Sequence, residues 1–303
     1  MTHIVIHEDG PRDGLQIERQ VVPIATKETR IRRTMQSGVE IVQVGSFDHP
    51  TKVPQMADTD ELVRRLVPDK SSAVLLAGLA LNERGVERGL ECGVEMLCLG
   101  ASASETHSLK NTGMATMEAT RRIIGAAQQA LTAGKRVQVS VQSAFGCGFE
   151  GPIPEDRVLR MVGTYLEAGL YNISLADTAG HAHPAQVERL FTAALDLDPK
   201  IEATCHFHNT YGLGMANIMA AMRAGVASFE TSFAGLGGCP FTKVAAGNVA
   251  TEDFVNALQM QGLRKDVDLR KLISVAGDVA KHFEREMPGC VYKTGSIPDK
   301  VAA

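Results

Sequence analysis

The sequence predicts a (β/α)8 barrel built as one catalytic domain over residues 1–303, with a helical C-terminal extension from about 268 to 303. Three observations predict it. Eight short apolar, strand-like runs recur along the chain, and segments of helical spacing separate them. Several of those segments end at glycine just before the next run, as helix C-termini do. The first run leads into EDGPRDGLQ, not into the G-x-G-x-x-G that opens a doubly wound sheet.

The runs, in order, are HIVIHE (3–8), EIVQVGSF (40–47), AVLLAGLA (73–80) and EMLCLGAS (95–102). RVQVSVQSA (136–144), YNISLAD (171–177), IEATCHFH (201–208) and ASFETSFAG (227–235) follow. Their length and near-continuous apolar character suit parallel strands buried on both faces. The intervening segments include ATKETRIRRTMQ (25–36), ADTDELVRRLV (57–67), NERGVERGLECG (82–93), MATMEATRRIIGAAQQALT (114–132) and EDRVLRMVGTYLEAG (155–169). No linker, low-complexity stretch or charge block divides the chain.

Composition narrows the function. The formal net charge is −4 with both signs interspersed, so the basic stripe of a nucleic-acid binder is missing. No polybasic or long apolar segment suggests a membrane, and MTHIVIHEDG lacks the cationic lead and length of a signal peptide. The expectation is a cytoplasmic enzyme. The six cysteines show no C-x-x-C pairing and are expected to be reduced, most of them filling core space. Cys239 stands apart, because it sits in the glycine-rich GLGGCP.

A barrel of this kind places its chemistry at the C-terminal ends of the strands. Those ends carry Asp9, Arg12 and Asp13; Gln43 and Ser46; Ser102 and Ser104; Gln142 and Ser143; Ser174 and Asp177; His206 and His208; Thr231 and Ser232. Serines are common in any loop, but a carboxylate with two strand-end histidines is less easily explained that way. His206 and His208 are two apart, so on a strand both imidazoles point to one side. That spacing alone fits solvent-facing residues equally well, and the ligand set must be completed from elsewhere. Asp13 from the first strand and Asn248 after the eighth complete it, because strands one, seven and eight are neighbours in a closed barrel. One carboxylate, two imidazoles and an amide oxygen suit an octahedral divalent ion, Mg²⁺ or Mn²⁺, with open positions for substrate oxygens. Arg12 presents a permanently charged fork of donors that can stabilise a developing enolate. A thiol at Cys239 on a closing loop can relay a proton.

EDGPRDGLQ, SF-x-x-P-x-x-VPQMAD, SASETHSLKN, SLADTAG, CHFHNTYG and GLGGCPFTKVAAGNVATED keep an order and spacing that resembles the 3-hydroxy-3-methylglutaryl-CoA lyases over about residues 4–264. The resemblance implies a metal-dependent retro-Claisen cleavage of an acyl-CoA to acetyl-CoA and an oxo acid such as acetoacetate, and a homodimer. It implies Asp13, His206, His208 and Asn248 as metal ligands, Arg12 as the carbonyl-polarising group and Cys239 as the lid-loop cysteine. His206 and Asp177 join Arg12 and Cys239 as candidate catalytic residues. Gln43, Ser46, Asn111 and Ser174 are candidate substrate-binding residues, with Asn111 placed where the family meets the thioester cofactor.

The chain departs from the pattern at several places. Gln43 stands where the family has glutamate, and a carboxamide cannot exchange protons. Asp9 replaces a usually apolar residue, and Ile17 stands where asparagine is common. Two further function classes stay open on sequence: an acetyl-CoA-condensing synthase of the same superfamily, and a non-catalytic metal- or CoA-binding relative. The synthases usually carry glutamate where this chain has Leu15, and they lack GLGGCP.

Overall fold

The computed structural model describes residues 3–238 and 247–296. Eight parallel strands close into a barrel in sequence order, each pairing with the next and β1 with β8. They are β1 (Val5–Glu8), β2 (Ile41–Ser46), β3 (Leu75–Leu79), β4 (Met96–Ser102), β5 (Arg136–Gln142), β6 (Asn172–Asp177), β7 (Glu202–Phe207) and β8 (Ser228–Thr231). Every one lies inside the run that the sequence marks for it. The eighth is shorter than expected, because Ala234 at φ 60° turns Phe233–Gly235 into a tight helical turn.

The helices are α1 (Ile24–Met35), α2 (Thr59–Leu66), α3 (Glu83–Cys92), α4 (Glu105–Thr112), α5 (Thr116–Thr132), α6 (Glu155–Glu167), α7 (Pro184–Leu195), α8 (Gly214–Arg223) and α9 (Thr251–Met260). The extension supplies α10 (Leu269–His282) and α11 (Val291–Thr294). Caps follow local chemistry. Asn82 accepts from the Gly85 N–H at the start of α3, and α3 ends on left-handed Gly93. Ser104 caps α4, so that Asn111 lies in its last turn.

The main core lies between barrel and helices, where Val42, Val44, Leu97, Leu99, Val139 and Val141 meet apolar helix faces. A separate plug of Ile41, Ala77, Met96 and Cys98 fills the barrel's interior floor. Alternation along each strand thus sends one set of residues outward to the helices and the other inward to the floor and the cavity above it. A third cluster joins Leu15, Phe233 and Leu236 to α10, which packs the extension against the turn after β8.

Candidate active site

β1 opens into one wide helical turn, Gly10–Gly14, because the N–H groups of Asp13 and Gly14 both return to the carbonyl of Asp9. That turn folds Arg12 and Asp13 back over the barrel mouth. His206 and His208 arrive from the end of β7, and Asn248 pairs antiparallel with His208 as the chain returns after β8. Asp13, His206 and His208 offer ligand atoms that all lie within 4.8 Å of one another, and each residue is buried. Gly237, at φ 116°, passes so close that a Cβ there would lie 3.2 Å from Asp13 Oδ2, so only glycine fits.

The histidine tautomers follow from their neighbours. His208 Nδ1–H donates to the Asp177 carbonyl at 2.9 Å, which leaves Nε2 as a lone pair 3.5 Å from Asp13 Oδ2. His206 Nδ1–H donates to Glu230 Oε2 at 2.9 Å, and its Nε2 lies 3.9 Å from the same Asp13 oxygen. Metal-binding histidines are held in this way, one nitrogen anchored and the other aimed. Asn248 Nδ2 donates to Asp13 Oδ2 at 2.7 Å, while Asn248 Oδ1 and His208 Nε2 are buried without a hydrogen-bond partner. Two orphaned acceptors beside a carboxylate are costly unless a cation completes them. The donor set therefore fits a divalent ion. Burial alone would raise the Asp13 pKa, but Arg12 and both histidines hold it well below the usual carboxylate range. It is ionised, as a ligand must be.

Arg12 is clamped on three sides. Its Nη1 donates to Asp13 Oδ1 and its Nη2 to Asp9 Oδ2, both at 2.5 Å, while Nε donates to Gln43 Oε1. Asp9 is wholly buried, and its Oδ1 has no partner. Asp9 is thus a charge partner of Arg12 from below, 3.7 Å from His206 Nδ1, and does not reach solvent. Beneath this cluster, Glu230 lies between His206 and His7, whose Nδ1 is 3.6 Å away. Burial lowers the His7 pKa to about 4, so that ring is neutral.

Above this polar floor lies a cavity of about 360 Å³. Its lining includes Arg12, Asp13, Gln43, His206, His208 and Asn111, which brings most of the expected site together. Three expected residues stand apart. The Asp177 carboxylate accepts from the His181 and Ala182 N–H groups, because alternation points Ala176 and Thr178 inward; it is the Asp177 carbonyl that serves the site. Ser46 exchanges hydrogen bonds with Asp48 at the turn after β2. The Ser174 hydroxyl is buried and unpartnered two residues below Ala176. Cys239 falls outside the described residues. The strand-end reading missed Glu230, His7 and Gln138, which lie below the strand ends. A carboxylate, an imidazole and a carboxamide on otherwise apolar strands were the available signal.

The HMGL-like family model matches residues 3–279. A hydroxymethylglutaryl-CoA lyase of Bacillus subtilis is 35% identical over 94% of this chain and 95% of its own length. The (R)-citramalyl-CoA lyase of Chloroflexus aurantiacus is 33% identical over 100% of this chain and 98% of its own. Among solved structures, an HMG-CoA lyase from Acinetobacter baumannii, in complex with coenzyme A and 3-methylmalate, superposes with a TM-score of 0.92 at 35% identity, covering 100% of both chains. The chain belongs to the HMGL-like family, as the motif order implies.

Proposed function

We propose that this HMGL-like chain is a divalent-metal-dependent lyase that cleaves a 3-hydroxyacyl-CoA, 3-hydroxy-3-methylglutaryl-CoA or a close analogue, into acetyl-CoA and an oxo acid. The observation that carries the reading is the convergence of Asp13, the two histidine Nε2 atoms and the orphaned Asn248 Oδ1 beside the Arg12 fork. Mg²⁺ or Mn²⁺ bound by these four residues would supply Lewis acidity to the substrate's hydroxyl and carbonyl oxygens.

The protein's own groups do the rest. Asp13, Asp9 and Gln43 fix the guanidinium plane of Arg12, so its remaining N–H bonds meet the thioester oxygen without reorganisation as enolate charge develops. Glu230 and the Asp177 carbonyl keep both histidines in the tautomer that ligation needs. Asn111, at the cavity rim, meets the CoA arm. Gln43 orients and does not exchange protons.

Acetyl-CoA release with Mn²⁺, measured over a panel of 3-hydroxyacyl-CoA thioesters, tests the reading. Consumption of acetyl-CoA with a 2-oxo acid would replace it with the synthase, and neither activity would leave a binding protein. The citramalyl-CoA lyase relative, matched over the whole chain, puts thioesters that release a 2-oxo acid on the same panel. A homodimer is part of the proposal, and sedimentation checks it. Among the described residues no helix is long and apolar enough to cross a membrane.

A further inference from the structure

The lyase reading gives His7 no task, yet this imidazole is wholly buried between two groups that the site depends on. It sits on β1, paired in register with Glu230 on β8. Its Nε2 lies 3.5 Å from the Gln43 amide nitrogen. Its Nδ1 lies 3.6 Å from Glu230 Oε1 and has no hydrogen-bond partner.

The protons along this line can be assigned from one end. An arginine side chain can only donate, so Gln43 turns its oxygen to Arg12 Nε and its amide nitrogen to His7. That nitrogen can only donate in turn, so His7 Nε2 is the acceptor. Burial lowers the His7 pKa to about 4, and the neutral ring carries its one proton on Nδ1, facing Glu230. The distance is just beyond a hydrogen bond, which makes this last contact an oriented charge–dipole one. Glu230 receives the His206 Nδ1–H on its other oxygen, Oε2. One consistent set of donors thus runs from Arg12 through Gln43 and His7 to Glu230, and meets His206 there.

A carboxylate at position 43 breaks the line. Two acceptors, the carboxylate and His7 Nε2, would face each other, and the ring could answer only by taking up a second proton. The neutral His7 and the carboxamide at 43, where the family has glutamate, are therefore matched to each other.

We propose that His7 is a positioning residue: it fixes Gln43, and through it the Arg12 fork, on one side, and through Glu230 it fixes the tautomer of His206 on the other. Its effect on turnover rests on the lyase reading above, whereas the tautomers are properties of the metal-free chain.

Nitrogen-15 histidine NMR of the metal-free protein reads them, the His7 signal being the one lost in His7→Asn. At neutral pH the wild type should show His7 and His206 each protonated at Nδ1 alone. Gln43→Glu should turn His7 into the imidazolium, and Gln43→Leu should not. His7→Val should weaken Mn²⁺ binding about tenfold, as loss of a partner behind a ligating histidine does. It should also lower kcat with KM unchanged, because the Arg12 fork acts on the transition state. His7→Asn keeps a donor toward Glu230 but loses the ring nitrogen that faces Gln43, so it should recover the Mn²⁺ affinity and not kcat. Protonation of wild-type His7 at Nε2 overturns the proposal, as does a His7→Val variant that loses only thermal stability. Should His7→Val not fold, His7→Asn and the Gln43→Glu spectrum decide. If the wild type cleaves no thioester while the spectra and Mn²⁺ affinities behave as stated, the lyase reading fails and the positioning role stands.

Discussion

Replacing Asp9 with valine tests how Arg12 is held. Asp9 lies wholly inside the protein and accepts from Arg12 Nη2 at 2.5 Å. Breaking a buried ion pair costs about 3–5 kcal/mol when the remaining charge is left alone. Here Asp13 and Gln43 still hold the guanidinium, and the desolvated, unpartnered Oδ1 of Asp9 disappears with the substitution. The expected loss is therefore near the lower limit, about 3 kcal/mol. Gln43→Glu in the wild-type background adds a buried carboxylate to a fork that already serves two, and it should destabilise by about 2 kcal/mol or take up a proton. With both changes the carboxylate has moved from β1 to β2 and Arg12 regains its partner. The double variant should recover about 2 kcal/mol relative to the sum of the singles, roughly thirtyfold in the folding equilibrium. Urea unfolding of the four proteins, with and without Mn²⁺, measures this, and kcat/KM should recover in parallel. Additivity within about 0.5 kcal/mol would refute the shared clamp. Full stability of Asp9→Val with lost kcat would make Asp9 an acid–base group instead.

Three further outcomes are expected. His208→Ala and His206→Ala should each abolish high-affinity Mn²⁺ binding in a calorimetric titration, because each removes an aimed Nε2; unchanged binding would exclude the site. Arg12→Gln should lower kcat on the order of 10²-fold with little change in KM, as loss of an oxyanion donor does, whereas reduced thermal stability with intact kcat would show a structural ion pair. Burial raises Glu8 to about 7 and Glu252 to about 8, where they accept from the Phe233 and Ala234 N–H groups under the β8 turn. Folded Glu8 then binds a proton that the unfolded chain has released, so stability should fall as pH rises from about 4.5 to about 7, by about 3 kcal/mol for Glu8. Glu8→Gln should flatten that slope in pH-dependent urea unfolding; an unchanged slope would remove Glu8 as its source.

Much of this protein was legible in its sequence. Strand and helix positions follow from the period of apolar residues, which is local, and eight such units fit the closed barrel that the structure shows. The order of Asp13, His206, His208 and Asn248 along strands one, seven and eight was enough to bring these four candidate ligands together, because neighbours in a closed barrel are neighbours in space. What sequence could not decide was which way each polar side chain turns. Asp177 sits at a strand end, as Ala176 does, yet one residue of parity sends its carboxylate into a capping turn and leaves only its carbonyl to the site. Asp9 could have faced solvent; the wide turn after β1 buries it beneath Arg12. Glu230 and Ser140 lie below the strand ends, and their surroundings depend on residues 24 and 40 positions away in the chain: His206 for Glu230, Gly100 for Ser140. Local pattern sets which element a residue joins. The closure of the barrel sets its partners, and the partners decide whether a buried polar group faces the cavity or serves the fold.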